Sequence, residues 1–150
     1  MDAVDKMILA EVQQDGRLTI TELAERVGLS LSPCHRRLRT LERSGAISGY
    51  RAHLDAQVLG LTFEALVFVT MRGADRETVA TFEDAVTKVP YVLKAQRLFG
   101  DPDYLLQVIA RDLPAFQQIY DEQLSTLPGV QRLTSTLVMK RVVEDQPLPL

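Results

Sequence analysis

Residues 21–45, TELAERVGLSLSPCHRRLRTLERSG, decide the fold of the first part of the chain. Apolar residues recur at helical spacing in two stretches, which are separated by a short turn that contains Gly28. Thr21 is placed to begin the first helix, and Gly28 to end it in a left-handed conformation. Ser32-Pro33 should begin the second helix as its N-cap and first residue, and that helix should end near Arg43. Two helices joined by such a turn predict a helix-turn-helix, whose second helix enters the major groove of DNA.

The second of these helices has one apolar and one basic face. Cys34, Leu38 and Leu41 fall on one stripe of the 3.6-residue repeat and should face the core. Arginine can pair with a guanine edge or a phosphate, and hydroxyl groups can contact either. The alternative is a solvated basic face without a partner. The predicted DNA-binding residues are Ser32, His35, Arg36, Arg37, Arg39, Thr40, Arg43 and, on the following wing, Arg51.

The position of these residues along the helix separates their expected roles. Residues near the start of a recognition helix reach the base edges, so Ser32, His35 and Arg36 are the candidates for base readout. The phosphate anchors expected farther along are Arg37, Arg39 and Arg43, with Arg51 as a further phosphate contact.

The net charge of the 150-residue chain is −3, which at first argues against a nucleic-acid partner. Its distribution is more informative than the sum. Residues 1–55 carry eight acidic and eight basic side chains, whereas residues 30–51 contain five arginines and a single acid, Glu42. The chain therefore predicts a local basic patch on the second helix.

Several classes of protein are disfavoured by the composition. No stretch approaches the roughly 20 apolar residues of a membrane span, and the first residues lack a secretory signal, so a cytoplasmic protein without a membrane partner is expected. The single cysteine, Cys34, excludes an internal disulfide and a cysteine-based zinc cluster. Its place on the apolar stripe favours a small core residue over a redox switch. We predict neither cofactor nor metal.

The second half predicts an α/β (α+β) domain of ferredoxin-like βαββαβ order, with two helices on one face of an antiparallel sheet. Before it, residues 2–15 should form a helix capped by Asp2, and residues 46–54 a pair of short strands or a strand with a turn. The predicted strands are 63–72, 91–99, 104–110 and 130–143, and the helices are 76–88 and 114–127. The predicted domains are a winged helix-turn-helix at 1–55, a linker at 56–61 and a second domain at 62–150.

Several motifs together resemble the Lrp/AsnC family of leucine-responsive, or feast/famine, regulators. They are DGR at 15–17, ELAERVGLS at 22–30, SPC at 32–34, RLRTLERSGAISGY at 37–50, GDPDYLL at 100–106 and LPGV at 127–130. The resemblance implies a winged DNA-binding domain followed by an amino-acid-sensing domain of RAM or ACT type. It further implies homodimers that assemble into tetramers or octamers, an amino-acid effector at contacts between dimers, and DNA bent or wrapped at several sites.

The turn at 100–104 is the candidate sensing site. Gly, Asp and Pro are good turn formers, which alone would explain the sequence. In the family this turn lines the effector pocket, where two carboxylates could recognise the ammonium group of a free amino acid and Gly100 would permit close approach. The candidate effector-binding residues are Leu98, Gly100, Asp101, Asp103, Tyr104, Thr134, Ser135 and Thr136.

The resulting hypothesis is a transcription regulator whose effector changes its oligomeric assembly and thereby its operator affinity. An enzyme is the first alternative, but both histidines lie in the DNA-binding half and no phosphate loop or nucleophile elbow occurs, so no catalysis is expected. An architectural DNA protein that senses nothing is the second alternative. An unchanged thermal stability with every amino acid would favour it, because a ligand that binds the folded state stabilises that state.

Overall fold

The computed structural model describes residues 1–150, which form two compact units. The first unit contains residues 1–54 and 142–150, and the second contains residues 55–141. The final residues, which the sequence assigned to the second domain, therefore cluster with the first unit. None of the helices has both the length and the apolar character needed to cross a bilayer.

The first unit is a three-helix domain that contains the predicted helix-turn-helix. Its helices are α1 (Ala3–Gln14), α2 (Ile20–Arg26) and α3 (Leu31–Arg43). Asp2 caps α1 as predicted. The buried core consists of Ile8, Leu23, Ala24, Val27, Cys34 and Leu41.

The predicted N-caps of α2 and α3 are each two residues too late. Thr19, not Thr21, caps α2, because the carboxylate of Glu22 three residues later accepts from the Thr19 amide at 2.8 Å and completes a capping box. Ser30, not Ser32, precedes α3, and its carbonyl accepts from the Cys34 amide at 3.2 Å. Proline in the first turn of α3 costs no hydrogen bond, because amides there have no partner within the helix.

The loop after α3 contains no strand, so the prediction of strands in residues 46–54 is wrong. Gly45 ends α3 with a φ of +78°, and the Ile47 amide donates to the Leu41 carbonyl at 3.3 Å. Residues 48–54 are all exposed. A two-stranded ribbon is marginal in water without a packed face, which explains why this short segment remains a loop.

The second unit has the predicted βαββαβ order. Its strands form one antiparallel sheet in the spatial order β2-β3-β1-β4. The elements are β1 (Phe63–Met71), α4 (Arg76–Val86), β2 (Val92–Arg97), β3 (Tyr104–Ala110), α5 (Leu113–Ile119), which continues as a π-helical turn at Tyr120–Leu124, and β4 (Val130–Leu137).

Alternate residues of β1 and β3 are buried in the core of this unit. Phe82 of α4 and Leu106 of β3 are fully buried there, and Phe116 of α5 is almost so. Gly129 precedes β4 with a φ of +74°, and a Cβ atom at this position would lie 2.6 Å from Cγ2 of Thr78. Glycine is favoured at this turn because any other residue would be strained at this positive φ and would have to displace the side chains of Thr78 and Met71.

Strand β4 is six residues shorter than the predicted 130–143. It ends at Leu137, and the Val138 amide then donates to the Glu64 carbonyl at 3.1 Å. Because its neighbour β1 starts at Phe63, the ladder has no partner residues beyond this point. Val142 and Val143, which suggested a longer strand, are exposed.

Candidate DNA-binding surface and sensing turn

Helix α3 places its buried and exposed residues on opposite faces, as predicted. Cys34 and Leu41 lie in the core. Burial raises the pKa of the Cys34 thiol, so it stays protonated and is a poor nucleophile. Six of the predicted DNA-binding residues on α3 are exposed, namely Ser32, His35, Arg36, Arg39, Thr40 and Arg43.

The side chains of His35 and Arg36 form no hydrogen bond or ion pair within the chain. The Arg36 carbonyl does accept from the Thr40 hydroxyl at 3.0 Å, but the guanidinium is left to solvent. A free guanidinium retains all five N–H donors for a nucleic-acid partner. Arg36 therefore has the geometry expected of a base-reading or phosphate-binding side chain.

Arg39 and Arg43 are exposed but make local contacts. Arg39 Nη1 lies 3.3 Å from a carboxylate oxygen of Glu42, and its side chain is 64% exposed. Arg43 Nε donates to the Arg39 carbonyl at 3.3 Å. Contacts of this kind at the surface are weak, so both side chains are available to a phosphate.

Arg37 differs from its neighbours, although the sequence predicts it as a phosphate anchor. Its Nη1 atom lies 2.7 Å from a carboxylate oxygen of Asp2, the N-cap of α1, and 2.7 Å from one of Asp5 in the first turn of α1. Only 33% of its side chain is exposed. Arg37 is thus held within the domain and is not a free cation, which argues against its prediction as a phosphate anchor. The spacing along α3 already indicates a position next to the buried stripe, because Arg37 follows Cys34 by three residues and precedes Leu41 by four.

Glu42 and Tyr50 form a contact that the sequence analysis missed. The Tyr50 hydroxyl donates to Glu42 at 3.1 Å, while the other carboxylate oxygen of Glu42 faces Arg39. Partial burial and this acceptor raise the pKa of Tyr50. The contact holds the loop after α3 against α3. Arg51 follows in that loop and is exposed, and its side chain has no hydrogen bond or ion pair within the chain.

The predicted sensing turn lies between β2 and β3 in the second unit. The Leu98 amide donates to the Asp103 carbonyl at 2.8 Å, which closes the turn. Gly100 has a φ of +138°, a conformation that favours glycine, and Asp101 is exposed. The peptide bond before Pro102 is cis.

Asp103 is largely used by the fold itself. One of its carboxylate oxygens accepts from the Met71 amide at 2.7 Å, and its own amide donates to the Val69 carbonyl at 2.9 Å. The prediction is of two carboxylates close together that could recognise an ammonium group. One oxygen of Asp103 is engaged by the Met71 amide, whereas the Asp101 carboxylate has no partner in the chain.

Tyr104 lies in the core and not in an open pocket. It is 3% exposed, its ring centroid lies 4.6 Å from that of Phe82, and its hydroxyl donates to Glu83 at 2.8 Å. Burial, followed by the contact with Glu83, raises the pKa of Tyr104 to about 12. This buried, hydrogen-bonded position argues against the prediction of Tyr104 as an effector contact. The alternation of residues along β3 indicates this burial in the sequence, because Tyr104 lies on the same face of the strand as the buried Leu106.

The three polar residues of β4 are divided between the two faces of the sheet. Thr134 and Thr136 pair with Phe68 and Leu66, on the face without helices. Ser135 pairs with the buried Val67 and therefore projects toward the helix-covered face. The three side chains therefore do not share one face, and Ser135, although exposed, is separated from Thr134 and Thr136 by the sheet. No cluster of three or more His, Cys, Asp or Glu side chains could hold a metal ion.

Comparisons with known proteins match both units. A family model described as the Lrp/AsnC ligand binding domain matches residues 64–148, and one described as winged helix-turn-helix DNA-binding matches residues 1–48. The leucine-responsive regulatory protein of Rhizobium meliloti (strain 1021) is 39% identical over 142 residues, which cover 95% of this chain and 91% of the relative. The Bkd operon transcriptional regulator of Pseudomonas aeruginosa is 36% identical over 150 residues, covering 100% of this chain and 98% of the relative.

A solved structure agrees with these matches. The transcriptional regulator of Neisseria meningitidis in its L-Met complex has a TM-score of 0.94 and 39% identity, covering 99% of this chain and 96% of that chain. The resemblance inferred from the sequence is confirmed, and the relatives are regulators, in agreement with the prediction that the chain is not an enzyme. This chain belongs to the Lrp/AsnC family of DNA-binding transcription regulators, which carry a ligand-binding domain.

Proposed function

We propose that the regulator reads operator DNA with the exposed face of α3 and senses an amino acid at the turn between β2 and β3. The observation that carries the first part is the unpaired guanidinium of Arg36, on the face of α3 opposite the buried Cys34 and Leu41. Because its proposed partner is DNA, the proposed location is the cytoplasm.

The exposed residues of α3 divide by position. Ser32, His35 and Arg36 lie in its first turns and are the proposed base readers. Arg39 and Arg43 lie farther along, and with Thr40 and with Arg51 of the loop they are the proposed phosphate contacts. Arg37 is left out of this set because two carboxylates already hold it.

The DNA-binding proposal is tested with Arg36→Ala and a fluorescent operator duplex selected from random sequence. We expect specific binding to weaken by about 1–3 kcal/mol, with relaxed preference at one base pair. Arg17→Ala is the matched control, since it removes the same charge from an exposed turn outside α3. Equal losses in the two variants would show that net charge, and not base readout, is what Arg36 supplies.

The proposed effector is an apolar amino acid, with L-Met as the first to test because a close relative was solved with it. Asp101 offers an exposed carboxylate for the ammonium group, and Gly100 lets the ligand approach the backbone. Leu98 flanks the turn, while Thr134 and Thr136 supply hydroxyl groups on the open face of the sheet. Asp103 supports the turn through the Met71 amide.

A thermal-shift screen against the amino acids tests the effector proposal, with D-Met as the stereochemical control. A ligand at 100 times its Kd should stabilise the folded state by about 2.7 kcal/mol. If none of the amino acids raises the melting temperature, the architectural alternative gains support and amino-acid sensing is abandoned. The DNA-binding proposal is unaffected by that result.

The proposed link between sensing and DNA binding is a change of assembly. The family resemblance supports homodimers that form tetramers or octamers. A larger assembly presents more α3 helices and binds clustered sites with greater avidity. A ligand shifts this equilibrium only through different affinities for the two assemblies, and coupling of about 1–3 kcal/mol would change operator binding roughly 5- to 150-fold. Light scattering with and without ligand measures the shift.

A further inference from the structure

Arg37 sits beside Arg36 in the sequence but contacts the body of the domain. Its Nη1 atom donates to Oδ2 of Asp2 and to Oδ1 of Asp5, both at 2.7 Å. The Asp5 side chain is 18% exposed, so this part of the contact is shielded from water. Shielded charge pairs are screened by salt less than exposed pairs are.

The two carboxylates are themselves fixed in place. The other oxygen of Asp2 accepts from the Asp5 amide at 2.9 Å, and the other oxygen of Asp5 accepts from the Asp2 amide at 3.0 Å. This capping box satisfies two amides at the start of α1. Every carboxylate oxygen of the pair therefore has a partner, and one guanidinium nitrogen ties the first turn of α1 to the middle of α3.

We propose that Arg37 is a positioning residue, which sets the orientation of α3 against α1 and does not itself touch DNA. The inference rests on the proposed DNA-binding surface. Binding sites need their contact groups held to within about 0.5 Å by supporting contacts. A small rotation of α3 would move Arg36 and His35 away from the base edges while the domain remains folded.

The competing role, a phosphate contact, would require Arg37 to leave both aspartates. That move would break two charge-assisted hydrogen bonds and leave the mostly buried Asp5 carboxylate without its cation. Arg36 is already exposed and has no contact to give up. The geometry therefore favours Arg36 for DNA and Arg37 for support.

The two roles make opposite predictions for Asp5→Asn. Simple electrostatics predicts tighter DNA binding, since a negative charge is removed from the protein. Positioning predicts weaker binding, because Asn retains a side-chain oxygen for the capping bond but replaces one acceptor of Arg37 with an NH₂ group. The sign of the change in Kd decides between them.

The experiment measures Kd for operator and for unrelated DNA over a range of salt concentrations. The variants are Arg37→Met, Asp5→Asn, their double variant, and Arg36→Met as the matched loss of an adjacent arginine. We expect Arg37→Met and Asp5→Asn each to weaken operator binding about tenfold, and the double variant to be no weaker than the poorer single variant. The salt dependence should match that of the wild type. Arg36→Met should cost less in the Asp5→Asn background than in the wild type, because a displaced Arg36 has already lost part of its contact with the base edge.

The proposal is overturned if Asp5→Asn binds the operator as well as or better than the wild type. It is also overturned if Arg37→Met lowers the slope of log K against log salt by about 0.9, the value for one phosphate contact. Circular dichroism checks folding, and Asp5→Asn decides the matter if Arg37→Met does not fold. Wild-type protein that fails to discriminate operator from unrelated DNA would instead refute the DNA-binding surface.

Discussion

The two units use their polar side chains differently. In the DNA-binding unit, Arg36 and Arg51 remain exposed and unpaired beside a small apolar core. In the ligand-binding unit, two of the sensing residues predicted from the sequence are used by the fold, because Asp103 accepts from the Met71 amide and Tyr104 is buried against Phe82. Membership of a functional motif therefore does not by itself make a polar residue a ligand contact, since the fold can require the same side chain.

The contrast follows from local geometry. One face of a helix can be wholly exposed without loss of backbone hydrogen bonds, so α3 can leave its arginines to a partner. A turn at the end of a strand must satisfy the amides of its neighbours, and Asp103 does so for β1. The proposed sensing role in the second unit is therefore assigned to the residues that the fold does not engage, Asp101 above all.

The largest expected effect tests whether Tyr104 is structural. Tyr104→Ala should lower the free energy of unfolding by about 3–5 kcal/mol, because it removes a buried aromatic ring that packs on Phe82. Urea denaturation followed by circular dichroism measures this loss. If Tyr104→Ala is instead nearly as stable as the wild type but no longer responds to ligand, Tyr104 is a sensing residue.

The next effect separates the two aspartates of the turn. Asp103→Ala should cost about 1–3 kcal/mol of stability, because the partly buried Met71 amide loses its acceptor. Asp101→Ala removes an exposed side chain and should change stability by no more than about 0.5 kcal/mol.

Ligand response should follow the opposite order. Asp101→Ala should abolish the thermal shift by the effector and leave operator binding intact, since Asp101 has no partner in the fold. A retained shift in Asp101→Ala, together with a lost shift in a stable Asp103→Asn, would reverse the assignment of the two carboxylates.

These differences also show what a sequence can predict here. The order βαββαβ and the two faces of α3 followed from periodicity, which reports burial directly. The N-caps at Thr19 and Ser30 were missed because threonine and serine recur two residues later, although Glu22 stands at the capping-box spacing from Thr19 only.

Contacts between distant residues could not be predicted in the same way. Arg37 meets Asp2 and Asp5 over more than 30 positions, and Asp103 meets Met71 over 32 positions. Charge and turn propensity are the same whether such a residue binds a ligand or a neighbouring strand. Alternation along β3 would nevertheless have placed Tyr104 in the core, since it predicts one face for Tyr104 and Leu106.

A smaller effect is expected from the loop of the DNA-binding unit. Arg51→Ala should weaken binding to operator and unrelated DNA alike and reduce the salt slope by about one, because a phosphate contact carries no sequence information. Fluorescence anisotropy at several salt concentrations measures the slope. If Arg51→Ala changes the preferred base pair instead, the loop takes part in base readout.

The smallest expected effect is a change in unfolding free energy at alkaline pH. It is tested on Tyr104 and Tyr50, the two tyrosines whose hydroxyl groups donate to a glutamate. Tyr104 has its pKa raised to about 12 from the ordinary 10.0. A raised pKa means that the folded state holds the proton more tightly, so the stabilisation is complete below pH 10 and is lost as the pH rises toward 12. Tyr104→Phe lacks this titration, so its deficit in unfolding free energy relative to the wild type should shrink over that interval.

Tyr50→Phe is the comparison in the other unit, where Tyr50 is 49% exposed and water can solvate its phenolate. A deficit for Tyr104→Phe that stays constant to pH 12 would mean that Tyr104 is not buried in solution. The ligand-binding unit would then not differ from the DNA-binding unit in using this polar side chain for its fold.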